Sequence, residues 1–163
     1  MLGPHIKRRR DGRFTLRLSV PERGLLRLLP REAQGLLDNR QDPTVRRVFP
    51  VAYPGDPEAD EAYQELVGSE LARKHRDELE VLAQTADASE VDGVQLGQWL
   101  GAIEVLRLML GTSLDVGEDV DDLPESDPRS SQVAVYRYLS WLQGEVIEAL
   151  SSGLPSEGRE VGA

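Results

Sequence analysis

The apolar and polar residues near the start of the chain alternate with the period of a β-strand. Between Arg13 and Val20 every second residue is apolar, which is the pattern of a strand with one buried face. The preceding dipeptide, Asp11-Gly12, favours a type I′ turn, because both central residues of that turn need a positive φ. We therefore predict a β-hairpin over residues 5–20, with its apolar side facing the core.

The length of the hairpin turn decides which arginines face solvent. With two residues in the turn, Arg10 lies opposite Arg13 and Arg8 lies opposite Thr15. The solvent side then carries four arginines: Arg8, Arg10, Arg13 and Arg17. Lys7 and Arg9 fall on the apolar side, as inward charges do in edge strands that resist further pairing.

The rest of the chain mostly has the three- and four-residue apolar spacing of amphipathic helices. Pro21 is favourable in a first helical turn, whereas Pro30 should end or kink that helix because proline lacks an amide hydrogen. Four prolines between residues 42 and 57 predict an extended connector anchored by Val48, Phe49 and Tyr53. Longer helices are predicted over about residues 58–85, 95–114 and 131–151.

These elements predict an α+β fold, predominantly α, in which the N-terminal hairpin packs on a bundle of about four helices. The length of 163 residues fits one domain, which we place at residues 1–152, with residues 153–163 as a disordered tail. No apolar run approaches the ~20 residues of a membrane span. The basic start of the chain lacks the apolar stretch of a secretory signal, so we expect a cytoplasmic protein without membrane contact.

Few residues in this chain are suited to catalysis or metal binding. The absence of cysteine excludes thiol nucleophiles, iron–sulfur clusters and thiolate zinc sites. Phosphate-binding loops and nucleophile elbows are absent, and the acidic segment Asp115–Asp127 does not have the spacing of a calcium loop. Of the two histidines, His75 falls beside leucines, where we expect a hydrogen-bonded residue at the core boundary. We therefore expect no enzyme activity, metal or cofactor.

A polar pair interrupts the apolar middle of the third long helix. Glu104 and Arg107 are three residues apart, which places them on the same side of a helix. They form either a buried ion pair that sets the register of the bundle or a functional polar spot. Burial without compensation is costly, so both side chains should have polar partners.

The charge of the chain is unevenly distributed. Residues 1–47 contain 12 Lys and Arg against 5 Asp and Glu, whereas residues 48–163 contain 7 against 24. The four-arginine face of the hairpin therefore contacts an external partner, packs on the chain's own acidic helices, or is merely solvated. Because the net charge is −10, direct binding to DNA should be weak or indirect.

The connector and the later helices carry a combination of short motifs. They are Asp42-Pro43, Arg46-Arg47-Val48-Phe49-Pro50-Val51-Ala52-Tyr53, Trp99-Leu100-Gly101-Ala102, Leu106-Arg107-Leu108, Leu110-Gly111-Thr112, and Tyr136, Leu139 and Trp141-Leu142-Gln143. Over about residues 5–152 the chain resembles an actinobacterial family of unknown function whose genes lie beside that of the ClpS adaptor. Members of that family have been described as oxidative-stress transcriptional regulators.

The resemblance implies a non-enzymatic regulator that acts with a stress sigma factor at promoters, so the expected protein partner is a sigma factor or RNA polymerase. The gene neighbourhood suggests an alternative, an adaptor or accessory factor in Clp-type proteolysis. Two departures from the family pattern bear on this. The family senses redox state through a cysteine pair that this chain lacks, and its Asn-Asp after Trp-Leu-Gly-Ala is altered around Ile103-Glu104-Val105.

Overall fold

The computed structural model describes residues 4–39, 42–114 and 126–153. Within these residues, three strands form an antiparallel sheet and four α-helices pack against each other, with the last helix also against the first strand. The strands are β1 (Ile6–Arg8), β2 (Phe14–Leu16) and β3 (Glu90–Val91); the helices are α1 (Val20–Leu37), α2 (Pro57–Thr85), α3 (Gly93–Leu114) and α4 (Ser130–Ser151). The predicted α+β fold, mainly α, is confirmed. The predicted tail beyond Gly153 and most of the acidic segment lie outside the described residues.

The hairpin turn contains three residues rather than the predicted two. The amide of Arg9 donates to the carbonyl of Arg13 at 2.7 Å, and the amide of Gly12 donates to the carbonyl of Arg9 at 3.1 Å. Gly12 has a φ of 85°, so the loop is a type I turn followed by a left-handed glycine. The predicted two-residue type I′ turn is wrong, because the hydrogen bond from the amide of Arg9 to the carbonyl of Arg13 closes a loop of three residues.

The longer turn shifts β1 by one residue and exchanges its two faces. Ile6 pairs with Leu16, and Arg8 pairs with Phe14 instead of Thr15. Since side chains alternate along a strand, Ile6 and Arg8 now lie on the core side of the sheet. The prediction that Lys7 and Arg9 are inward charges is therefore wrong, because both side chains lie on the solvent face of the sheet.

The third strand of the sheet is too short to have been predicted from its sequence. Glu90 and Val91 pair with Thr15 and Phe14, and the amide of Leu16 donates to the carbonyl of Ser89 at 2.9 Å. Two residues carry no alternation that a strand pattern would need. This pairing places the Glu90 carboxylate next to the solvent face of the hairpin.

Helix α1 begins with a capping box and continues through its internal proline. The Ser19 hydroxyl accepts from the amide of Glu22 at 3.3 Å, and the Glu22 carboxylate accepts from the amide of Ser19 at 2.6 Å. Because the helix starts here, Val20 is 82% exposed rather than inward as predicted. Of the two outcomes predicted for Pro30, an end or a kink, the end is wrong: α1 continues to Leu37 with Pro30 buried inside it, and packing offsets the single hydrogen bond that the proline removes.

Helix α3 lies at the centre of the molecule, as its apolar middle predicts. Leu96, Trp99 and Ile103 have no exposed surface, and the helix packs against both α2 and α4. The indole Nε1 of Trp99 donates to Thr85 Oγ1 at 2.7 Å, which satisfies its polar group inside the core.

Helix α2 contributes to the core mainly through its second half. Leu79 and Leu82 are fully buried, whereas Leu66 is 80% exposed and Tyr63 is 37% exposed. The apolar stripe predicted along the helix is therefore buried mainly in its second half; in the first half the ring of Tyr63 meets that of Tyr53 in the connector at 6.0 Å between centroids, while Leu66 stays exposed.

One arginine of α1 joins the sheet, the helix and the segment before β3. The guanidinium of Arg23 donates to four main-chain carbonyls at 2.7–3.2 Å: those of Leu16, Leu18, Ala86 and Ala88. Arg23 thereby provides partners for carbonyls that the short strands leave unpaired.

Removing this guanidinium should destabilise the fold. We expect Arg23→Met, which keeps the apolar stem, to lower the free energy of unfolding by about 2–3 kcal/mol, because part-buried carbonyls lose a charged donor. The measurement is urea denaturation followed by circular dichroism. Arg27→Met is the matched control: Arg27 pairs with Asp87 on the surface, so its loss should cost less than about 1 kcal/mol. Equal losses in both variants would contradict the assignment.

Candidate protein-binding surfaces

Arg8 does not belong to the solvent-facing row of arginines. Its guanidinium carbon lies 4.8 Å from the centroid of the Phe14 ring. Its Nη2 donates to the carbonyl of Leu150 and its Nε donates to Ser152 Oγ, both at 3.4 Å. The predicted solvent-facing position of Arg8 is wrong because of the one-residue register change, whereas its candidate role in binding a partner stays a prediction. The residue instead places a cation at the C-terminus of α4, where the helix dipole favours it.

The solvent face of the sheet carries a charged cluster centred on β3. Glu90 accepts from Arg13 Nε at 2.9 Å and also pairs with Arg9. Arg9 contacts Asp11 as well, at 3.3 Å. For Arg13, therefore, the partner is an acidic residue of the chain itself, but it lies on strand β3 and not on the acidic helices of the predicted alternative.

Three further cations of the hairpin have no such partner. Lys7, Arg10 and Arg17 are exposed, and within the described part of the chain none of their side chains forms a hydrogen bond or ion pair. The backbone places Lys7 and Arg17 on the same side as Thr15, and Arg10 lies in the turn. We call the solvent-facing set Lys7, Arg9, Arg10, Arg13 and Arg17 the hairpin basic face.

The predicted pair Glu104 and Arg107 is part of a network that joins α3 to α4. Arg107 Nη1 lies 3.1 Å from Glu104 Oε2 and donates to Gln143 Oε1 at 2.7 Å, while Arg107 Nε donates to Ser140 Oγ at 3.0 Å. Gln143 Nε2 closes the network by donating to Glu104 Oε2 at 2.6 Å. The side chain of Glu104 is 44% exposed, so the pair lies at the surface of the helix seam rather than in the core.

His75 occupies the boundary position that the sequence predicts. Its Nε2 lies 3.1 Å from the carbonyl oxygen of Val48, and its ring meets that of Phe49 edge to face at 5.9 Å between centroids. Burial lowers the pKa of His75 because the charged imidazolium would lose hydration. The residue anchors the connector to α2.

Two further properties of residues 4–39, 42–114 and 126–153 concern ligands and membranes. No three His, Asp or Glu side chains in these ranges converge as the ligands of a metal ion do. No helix in the same ranges has the length and apolarity needed to cross a membrane.

The fold and these surfaces define a small, mainly helical α+β domain with charged surfaces on its hairpin and helices. Residues 4–150 match the model of the family called "Domain of unknown function (DUF2017)", and the chain belongs to this family. It is also 27% identical to the oxidative stress regulator AosR of Mycobacterium bovis and of two Mycobacterium tuberculosis strains, CDC 1551 and H37Rv. Each alignment covers 86% of this chain and 84% of the relative. No solved structure matches the chain significantly.

Within this network, the hydrogen bonds from Arg107 to α4 should stabilise the contact between α3 and α4 more than the ion pair between Arg107 and Glu104 does. We expect Arg107→Met to lower the free energy of unfolding by about 1–2 kcal/mol, because Ser140 and Gln143 lose their donor. Glu104→Gln should cost below about 0.5 kcal/mol, since an exposed ion pair is weak. Urea denaturation of both variants measures the difference. If Glu104→Gln is as costly as Arg107→Met, the ion pair rather than the inter-helix hydrogen bonding holds the seam.

Proposed function

We propose that this protein is a non-enzymatic, transcription-associated regulator in the stress response that acts by binding another protein. The observation that carries this proposal is the hairpin basic face, where Lys7, Arg10 and Arg17 are exposed without a partner among the described residues. The relatives named oxidative stress regulator support the regulatory role. The cytoplasm is the compartment we favour.

The chemistry of the hairpin basic face favours an acidic protein surface as its partner. Its exposed cations provide electrostatic complementarity, which increases association rate and specificity more than affinity. Phe14, the aromatic residue between Lys7 and Arg17 in the sequence, is buried, so these cations are not interleaved with the stacking side chains of single-strand nucleic-acid binders. A sigma factor or an RNA polymerase subunit is the partner class we propose.

The stimulus of this regulator does not act through a thiol of this chain, because the sequence contains no cysteine. The signal therefore reaches the protein through its partner, its abundance or a different residue type. This distinguishes the proposed mechanism from a cysteine-pair switch.

Charge removal from the hairpin should reduce partner capture without unfolding the protein. We expect Arg10→Gln/Arg17→Gln to lower the recovery of a sigma factor or RNA polymerase from cell lysate several-fold, while the melting temperature stays within about 2 °C. The remaining capture should fall further between 0.05 and 0.5 M salt, roughly, because exposed charges are screened over about 8–10 Å. Mass spectrometry of the captured proteins is the measurement.

A matched variant separates the hairpin from overall charge. Arg46→Gln/Arg47→Gln removes the same two charges from exposed positions of the connector, and its capture should match the wild type. Equal loss in both variants means that net charge alone governs capture, which contradicts the proposed face. Recovery of Clp components instead of transcription proteins would favour the proteolytic adaptor over the transcriptional role.

Binding to naked DNA should be weak for the protein alone. The net charge of −10 repels phosphates, so we expect a dissociation constant no tighter than about 10 μM at physiological salt. Fluorescence anisotropy with a labelled duplex measures this directly. A sequence-specific complex in the nanomolar range would contradict this expectation and show that the protein binds DNA without a protein partner.

A further inference from the structure

A groove opens on the side of the bundle where α2 and α4 flank α3. It has a volume of about 1010 Å³. Leu71 of α2, Leu100 of α3 and Ile147 of α4 line it, and Ile147 is 47% exposed. Val94, at the start of α3, is 75% exposed at the same groove. The groove thus presents apolar side chains from three helices to solvent.

The floor of this groove is open because α3 carries glycine there. A Cβ on Gly97 would have no heavy atom within 4 Å, so the backbone of α3 is directly accessible. One turn later, a Cβ on Gly101 would overlap the carboxylate of Glu78. Gly101 therefore allows the Glu78 carboxylate to lie against α3 at the bottom of the groove.

Glu78 is the one buried charged residue among those that the structure describes, at 8% exposed. Its nearest cation is the Lys74 ammonium, at 3.9 Å, and the Lys74 side chain is itself 71% exposed. Burial raises the pKa of Glu78, because the ionised carboxylate is poorly solvated. The bottom of the groove therefore holds a carboxylate whose hydration is reduced and whose cationic partner is loosely held.

Acidic side chains outnumber basic ones around the groove. Four carboxylates line it, those of Glu70, Asp77, Glu78 and Glu104, against the two cations Arg73 and Lys74. The apolar walls and the acidic surroundings together match a segment that carries leucine-like and lysine-like side chains at helical spacing.

We propose that this groove, hereafter the α2–α3–α4 groove, binds a basic amphipathic helix of a partner protein. Its apolar side chains contact Leu71, Leu100 and Ile147, and one of its cations pairs with Glu78. A helix fits because the site lies between two helices above a third, the position that an additional helix of the bundle would take. This surface is distinct from the hairpin basic face and its charge is opposite, so the inference does not rest on the proposed function.

A labelled synthetic peptide tests the groove without knowledge of the natural partner. The probe is a fluorescein-labelled helix of about 18 residues, built from Leu and Lys with Leu at i, i+3, i+4 and i+7. Its twin carries Glu in place of every Lys. Fluorescence anisotropy with the full chain should show binding of the Lys peptide, and binding of the Glu peptide at least about tenfold weaker.

Two substitutions in the groove should weaken the binding of the Lys peptide for different reasons. Gly97→Leu fills the open floor while adding a better helix former, so the fold should keep its melting temperature and the affinity should fall about tenfold. Glu78→Gln keeps the shape, removes the buried charge and should lower the affinity several-fold without loss of stability. Gly35→Leu is the matched control. Gly35 lies in α1, and a Cβ added there also meets open space. This variant should bind the Lys peptide with the affinity of the wild type.

The outcomes distinguish this inference from its alternatives and from the proposed function. Equal affinity of Gly97→Leu and wild type would overturn it, because the acidic body would then attract the peptide without the groove. Self-association of the wild type that Gly97→Leu abolishes in sedimentation velocity would also overturn it, since the occupant would be a second copy. Arg10→Gln/Arg17→Gln should bind the Lys peptide no more weakly than the wild type, so failure of one proposal leaves the other standing.

Discussion

Burial of α3 on most of its sides is the constraint on which the other contacts depend. Full burial of a large apolar side chain contributes about 1.5–3 kcal/mol relative to exposure, and Trp99, Ile103 and Leu96 have no exposed surface. To cover them, α2 and α4 lie along α3, and α1 and the short 3-10 turn at Arg46–Val48 also contact it. The side of α3 that stays open to solvent is the side of Gly97, which has no side chain that needs burial.

The hairpin turn decides the chemistry of the sheet surface through its register. A three-residue loop places Arg8 beneath the sheet, where it contacts the C-terminus of α4. The same loop brings Arg9 to the solvent face next to Glu90. The left-handed conformation of Gly12 thus changes which side chains face solvent. In place of the predicted row of four free arginines, the solvent face has arginines partly neutralised by Glu90, with exposed cations beside them.

The two surfaces proposed for binding differ in the sign of their charge and in how deeply they are recessed. The hairpin basic face is flat and solvated, so its contribution depends on salt and on long-range attraction. The α2–α3–α4 groove is recessed, contains a desolvated carboxylate at Glu78, and has apolar walls that provide affinity by burial. The two proposals together assign this chain surfaces for two protein segments of opposite charge.

Local patterns were sufficient to predict the long helices, the start of α1 near Pro21 and the boundary position of His75, because each depends on neighbours in the chain. The short motifs were sufficient for the family of unknown function. Tertiary packing alone decided that α1 continues through Pro30, that Glu90 joins the sheet and that Leu66 stays in solvent. It also decided the surroundings of Arg8 and Glu78. Each of these depends on which distant residue lies opposite, a contact that spacing along one chain does not specify.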